Sequence, residues 1–175
     1  NNLQVKLYVK STSKISTKGT WVMDEKNIPL KEKKIITGIT HDLKQSKITV
    51  SGIEDVPGVA SKIFKPIGSA GIVVDMIVQN ISTNKKTDLT FTIPKDDLNK
   101  TVKILKLNMA KINYKKIIQN KDIALVSIVG AGMKTHTGIA TRMFDSLSKS
   151  KINISMISTS EIKISIVIEE KYLEL

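Results

Sequence analysis

The chain has 175 residues, of which 41% are hydrophobic, 4% aromatic and none cysteine. That length holds one domain or two small ones with an aliphatic core, and the lack of cysteine excludes disulfides and thiolate metal sites and fits a reducing cytoplasm. The net charge of +12 invites a nucleic-acid reading, yet the excess is scattered lysine and Arg142 is the sole arginine. Bidentate phosphate and base recognition favours arginine, so no nucleic-acid partner is expected.

Taken in order, Leu3, Val5, Leu7 and Val9 alternate with Gln4, Lys6 and Tyr8, which predicts a strand. STSKISTKG follows as a polar loop, Thr20 to Met23 as a second short strand, and Asp24 to Lys34, with Pro29, as a charged connection. Lys34 to Thr40 (KIITGIT) predicts a strand with no partner nearby in sequence. The opening residues contain no apolar signal-peptide region, and no run approaches the roughly 18 apolar residues a membrane helix needs. A soluble, cytoplasmic protein with no membrane partner is expected.

From Ile48 the sequence repeats. ITVSGIEDVPGVASKIFKPIGSAGIVVDMIVQ (48–79) returns as IVGAGMKTHTGIATRMFDSLSKSKINISMIST (128–159), pairing Ile48 with Ile128, Gly52 with Gly132, Gly58 with Gly138, Phe64 with Phe144 and Met76 with Met156 without a gap. Such a match marks a duplicated module. Each copy opens with a strand, Ile48 to Val50 or Leu125 to Val129, and a turn at Pro57-Gly58 or Thr137-Gly138. Ala60, Ile63, Phe64 and Ile67, then Ala140, Met143, Phe144 and Leu147, give the spacing of one buried helical stripe. Pro66 removes a backbone bond inside the first helix and predicts a kink.

The apolar runs Ile72 to Val78 and Ile152 to Ile157 predict strands, as do Thr87 to Ile93 and Ile162 to Ile168, whose alternation predicts one buried and one exposed face. In the first copy, Leu98, Val102, Leu105 and Met109 mark a helical face opened by Asp96 and Asp97, and Tyr114 to Ile118 a closing strand. The order βαββαβ is a ferredoxin-like sandwich, an α+β fold with antiparallel sheets and helices on one face. The second copy stops at Leu175 after βαββ, which reads as a truncated module. The orphan strand at 34–40 is free to complete its sheet, making the first module an insertion in the second.

No stretch looks catalytic. Gly130-Ala131-Gly132 follows a strand, but Thr135 stands where a dinucleotide fingerprint needs its third glycine, so these glycines are expected to let the backbone turn. His41 and His136 lie far apart without carboxylates at ligand spacing, so no metal site is expected. Among predicted sheet positions only Tyr8, Trp21, Phe91 and Tyr114 are aromatic, too few for an RNA-stacking face. What remains are two corners where a glycine turn opens a helix whose free N–H groups favour a carboxylate. After each helix come Val73-Val74-Asp75 or Asn153-Ile154-Ser155. Residue chemistry alone leaves an amino-acid site and a plain turn equally open.

VSGIEDVPGVASKIF, VVDMIVQNIS, TDLTFTIP, VSIVGAGMKTHTGIATRMF and INISMISTSEIKISIVI resemble the regulatory half of aspartate kinase, which carries two ACT modules in tandem. The resemblance covers roughly residues 33 to 168, and STSEIKISIVI and VGAGMK are specific to that enzyme; its Lys-Phe-Gly-Gly kinase signature is absent. The organisation it implies is 1–33 as the end of the kinase domain and linker, 34–47 as a strand given to the second module, 48–122 as the first module and 123–175 as a truncated second one. It also implies allosteric control of aspartate phosphorylation by L-lysine, with L-threonine as a second effector. Modules would pair into a homo-oligomer with effectors at their seams, next to a catalytic domain that uses ATP and Mg; no cofactor is expected in this segment. The first site would comprise Ile53, Asp55, Gly58, Val59, Ala60, Val74, Asp75, Gln79 and Asn80, and the second Met133, Thr137, Gly138, Ile139, Asn153, Ile154, Ser160 and Glu161. Backbone at Gly58 to Ala60 would hold the effector carboxylate, and Asp75 or Asp55 its ammonium. Two positions depart from the family's usual pattern, Val73 for an asparagine and Thr137 for a proline. The alternatives are a module that only dimerises the enzyme, or an RNA-binding domain.

Overall fold

The computed structural model describes residues 7–13, 18–22, 35–81 and 85–173. Strands β1 (Leu7–Val9) and β2 (Thr20–Val22) pair antiparallel as a separate ribbon. Leu3, Val5, Met23 and the connection 24–34 lie outside the described residues. The remaining elements are β3 (Gly38–Asp42), β4 (Gln45–Glu54), α1 (Val59–Ser69), β5 (Ile77–Ile81), β6 (Lys86–Pro94), α2 (Leu98–Leu107), α3 (Met109–Ile112), β7 (Lys116–Asn120), β8 (Ile123–Val129), α4 (Ile139–Lys149), β9 (Met156–Thr159) and β10 (Lys163–Glu169).

They form two four-stranded antiparallel sheets, ordered β5-β6-β4-β7 and β3-β8-β10-β9. β3 holds in the second sheet the edge that β7 holds in the first, so the first module is inserted in the second. Thr37 N–H anchors the incoming chain on Val129 O at 2.7 Å. Behind the first sheet, α1, α2 and α3 enclose Ile48, Val50, Ile63, Ile67, Phe91 and Leu105, all fully buried. Phe91 packs edge-on against Phe64, ring centroids 5.2 Å apart.

Several expectations need correction. Residues 72–76 and 152–155 belong to no strand, because the ladders to β6 and β10 begin only at Ile77, opposite Phe91, and at Met156, opposite Val167. The first copy's last helix breaks at Asn108, whose side-chain amide donates to Ile104 O at 2.9 Å. Met109 is therefore turned out, 49% exposed, and Ile112 is buried in its stead. The closing strand starts at Lys116, since Tyr114 is buried in the core. β10 has no exposed face: Ile164 to Ile168 are all buried. Gly130 makes no turn; it is extended, and a Cβ there would lie 2.0 Å from Ile35 O, so it permits a close approach of backbones. α1 continues past Pro66 to Ser69, with the proline inside the helix.

The repeat also slips once. Ile48 pairs with Phe91 and Val126 with Ile166, while Ile77 and Ile157 pair with those same two residues. The structural counterpart of Ile48 is thus Val126 rather than Ile128, and the second copy carries two further residues before its helix. They are taken up in a 3₁₀ turn at Ala131–Thr135.

The modules meet at one end. Met76 and Val78 pack with Ile123, Leu125, Met156 and Val167, and Lys95 Nζ binds Glu170 Oε2 at 2.9 Å. On the other side of the second sheet, the α4 stripe is only half-buried. It borders an open apolar groove of about 790 Å³, lined by Ile39, Val126, Ile139, Met143, Leu147 and Ile166; in the first module α2 and α3 cover the equivalent face.

Candidate functional site

The two glycine corners are built alike. After β4, Asp55 N–H donates to Lys85 O at 2.9 Å, and the chain turns through Pro57 to Gly58, at φ 88° and ψ −1°. Gly138 sits at φ 82° and ψ 1°. That left-handed conformation suits glycine. Each carbonyl accepts the first helical bond, from Lys62 at 3.1 Å and from Arg142 at 3.0 Å. Neither helix has a side-chain cap or an acidic residue in its first turn. The N–H groups of Ala60, Ser61, Ala140 and Thr141 have no acceptor among the described residues, which leaves the positive helix ends open to an anion. A Cβ at either glycine would meet nothing within 4 Å among the described residues, so each glycine itself faces open space.

Strand register decides what gathers there. Glu54 pairs with Lys86 and Asn80 with Asp88, so Asp55, Gly58, Gln79 and Asn80 share one end of the first module. Asp75 does not join them. Its N–H donates to Thr92 O at 3.1 Å, and Thr92 pairs with Lys47 at the start of β4. The eleven residues of α1 separate the two ends by roughly 16 Å at the helical rise. The second copy repeats this division. Gly130 N–H on Ile162 O and Ser160 N–H on Lys163 O place Ser160 and Glu161 at the Gly138 end, while Ser155 N–H on Val167 O leaves Asn153 and Ile154 at the other. Gly58 and Asp75 therefore lie at opposite ends of the first module, as Gly138 and Asn153 do in the second.

Exposure sorts the residues further. Ile53 and Val59 are buried and Val74 half-buried in the first core, so they can offer only backbone or a small apolar edge. Ala60 also packs there, and Ile154 packs beside Met143, Phe144 and Leu147. Asp55, Asp75, Gln79, Asn80, Asn153, Ser160 and Glu161 are exposed, and Val73 is 70% exposed. Met133 N–H donates to Gly130 O at 3.1 Å within the 3₁₀ turn. Thr137 and Ile139 line the groove beside α4, together with His41, His136 and Arg142. The orphan strand at 34–40 already pointed to this sheet, but its predicted end at Thr40 stopped short of His41, which lies 95 residues before His136 (136 − 41).

Asp88 was also missed. Across from Asn80, it accepts from Ser51 Oγ at 2.7 Å and Gly52 N–H at 2.8 Å; the Ser51 hydroxyl and then the Gly52 amide hold its carboxyl below the ordinary value of 3.8. Of the few aromatic residues at predicted sheet positions, Phe91 and Tyr114 are buried and Tyr8 is exposed on the separate ribbon. The described residues hold no group of three or more side chains able to bind a metal.

Comparison with known proteins agrees with this architecture. The model of the ACT domain matches residues 48–109 and 126–175. Aspartokinase of Pseudomonas aeruginosa is 52% identical over 144 residues, covering 82% of this chain and 35% of its own length. Aspartokinase of Helicobacter pylori is 45% identical over 175 residues, covering 99% and 42%. The chain thus spans roughly a third to two-fifths of these relatives. The ligand-free regulatory subunit of aspartate kinase from Thermus thermophilus superposes with a TM-score of 0.76 at 37% identity, covering 81% of this chain and 93% of that one. With two matching modules, one inserted in the other, the chain belongs to the ACT-domain family, as the tandem regulatory part found in aspartokinases.

Proposed function

We propose that this segment senses an end-product amino acid, L-lysine first and L-threonine second, and passes its occupancy to an aspartate kinase catalytic domain that uses ATP and Mg. The single observation that carries the reading is the pair of open glycine corners at Gly58 and Gly138. Their free N–H groups suit the effector carboxylate, and exposed Asp55 and Asp75 suit an ammonium, which must be paired if it is desolvated. The organisation we propose is 1–33 as kinase end and linker, 34–47 as the donated strand, 48–122 as the first module and 123–175 as the second.

Because Gly58 and Asp75 lie at opposite ends of α1, one module cannot bring its own glycine corner and Asp75 to the same molecule, although Asp55 stands at the Gly58 end. A two-fold pairing of first modules from two copies, helices antiparallel, would set the Gly58 end of one against the Val73-Asp75 end of the other, with Ile53, Val59, Ala60, Val74, Gln79 and Asn80 around it. Met133, Thr137, Gly138, Ile139, Asn153, Ile154, Ser160 and Glu161 would form the second site likewise. The seam inside the chain does not serve, since it joins the strand-tip ends and leaves both glycine corners outside. Allosteric couplings of this kind are typically about 1–3 kcal/mol.

Calorimetric titration of the chain with lysine and with threonine, alongside sedimentation, tests this. Saturable heat from lysine is expected, lost in Asp75→Asn and accompanied by a dimer. A dimer that gives heat with neither amino acid would leave only the dimerisation role.

A further inference from the structure

We propose that the outer helical face of the first module is a docking surface for an acidic protein partner, centred on Leu107 and Met109. Helices α1, α2 and α3 lie side by side over the first sheet. Across 59–69 and 98–112 they carry Lys62, Lys65, Lys100, Lys103, Lys106 and Lys111 and not one acidic residue. All six lysines are exposed, and apart from Lys100, whose Nζ donates to Ala70 O at 2.8 Å, their ammonium groups have no hydrogen-bonded or ion-paired partner among the described residues. The comparison inside the molecule is α4, which carries Arg142, Asp145 and Lys149 and so mixes both signs.

Within that lysine field stand two apolar side chains with no role in the core. α2 buries Thr101 and Leu105 and half-buries Leu98 and Val102. Leu107 falls on the opposite face, one turn beyond Lys103, and is 77% exposed, the most exposed large hydrophobic side chain among the described residues. The break at Asn108 turns Met109 outward beside it. An apolar centre beside an excess of one charge is how protein interfaces are arranged, with energy concentrated in the desolvated centre and orientation set by the rim. The acidic groups near these helices stand at their margins, Asp96 and Asp97 before α2 and Glu54 against Asn113 after α3.

The chemistry selects the partner class. A polyanion such as RNA would use the lysines but gain little from Leu107 and Met109, and this face offers no aromatic ring for base stacking, since Phe64 is turned against Phe91. A protein surface with carboxylates around an apolar recess would use both. α2 starts at the seam end, after β6, and finishes at the end of the module that holds Gly58.

The test uses the 175-residue chain, a fluorescent amphipathic peptide of glutamate and leucine, and unlabelled polyglutamate and poly(U) as competitors. The peptide is expected to bind, to shift the amide signals of residues 100–112, and to weaken at least fivefold both in the surface pair Leu107→Ser with Met109→Ser and in Lys103→Glu with Lys106→Glu. Unchanged circular dichroism in both variants shows that folding is kept. Absence of binding overturns the proposal. So does binding that survives loss of Leu107 and Met109, or that poly(U) or polyglutamate of equal charge displaces as well as unlabelled peptide does, since that describes lysine excess alone.

Discussion

At the scale of single residues, the repeat shows where one copy is better adapted than the other. Each helix ends in the same turn. Ala70 and Ser150 close on Pro66 and Ser146, and the next residue swings into the left-handed region before Ile72 or Ile152 bonds back to Ile67 or Leu147. In the first copy that residue is Gly71, at φ 75°, and in the second it is Lys151, at φ 57°. A side chain in that region costs about 1 kcal/mol or more, because its Cβ crowds the backbone. Lys151→Gly should therefore stabilise the chain by about 1 kcal/mol, less what glycine adds to the entropy of the unfolded state. A urea midpoint that rises for Lys151→Gly and falls for Gly71→Lys would bear this out; no change in either would mean that the turn carries no strain.

At the scale of elements, the sequence disclosed what depends on neighbours along the chain and hid what depends on distant ones. The stripe Ala60, Ile63, Phe64, Ile67 and the glycines before it placed α1 and α4 because helix periodicity is local. The alternation in 162–168 predicted a solvent face, yet Val167 packs in the seam with Met76, which comes 91 residues earlier (167 − 76). For the same reason the sequence placed Asp75 near Gly58, whereas only strand register shows that they sit at opposite ends. Lys47 is the sharpest case. Its structural counterpart in β8 is Leu125, a member of that seam, and burial pushes the Lys47 amine below its ordinary 10.5. A lowered amine means that the folded chain holds this proton less firmly than the unfolded one. The cost to stability is full at pH values below the folded value and fades as pH rises through 10.5. Lys47→Leu is expected to raise the urea midpoint at pH 7 and to lose that advantage as pH approaches 10.5. An advantage that stays constant with pH would assign the gain to packing rather than to relief of the charge.

For the whole molecule, the question is whether two modules make one cooperative body. Insertion alone does not require it, since β3 could serve the second sheet while the first stood apart. What joins them is a small shared core at one end, Met76 and Val78 against Ile123, Leu125, Met156 and Val167, flanked by the Lys95–Glu170 pair. The ion pair is partly exposed and contributes little by the usual measure of surface pairs, so the methionines must carry the union. Met76 and Met156 are repeat counterparts and both are 5% exposed; each module thus buries the same side chain in the other's flank. Truncating a buried methionine to alanine typically costs about 2–5 kcal/mol. If the seam is one core, Met76→Ala and Met156→Ala open a common cavity, and their effects should depart from additivity by about 0.5–3 kcal/mol. The double variant should also broaden or split a single unfolding transition, because each module would then melt at its own midpoint. Costs that sum to within about 0.5 kcal/mol, with one sharp transition retained, would show instead that the modules are held together through the strand β3 and its hydrogen bonds to β8.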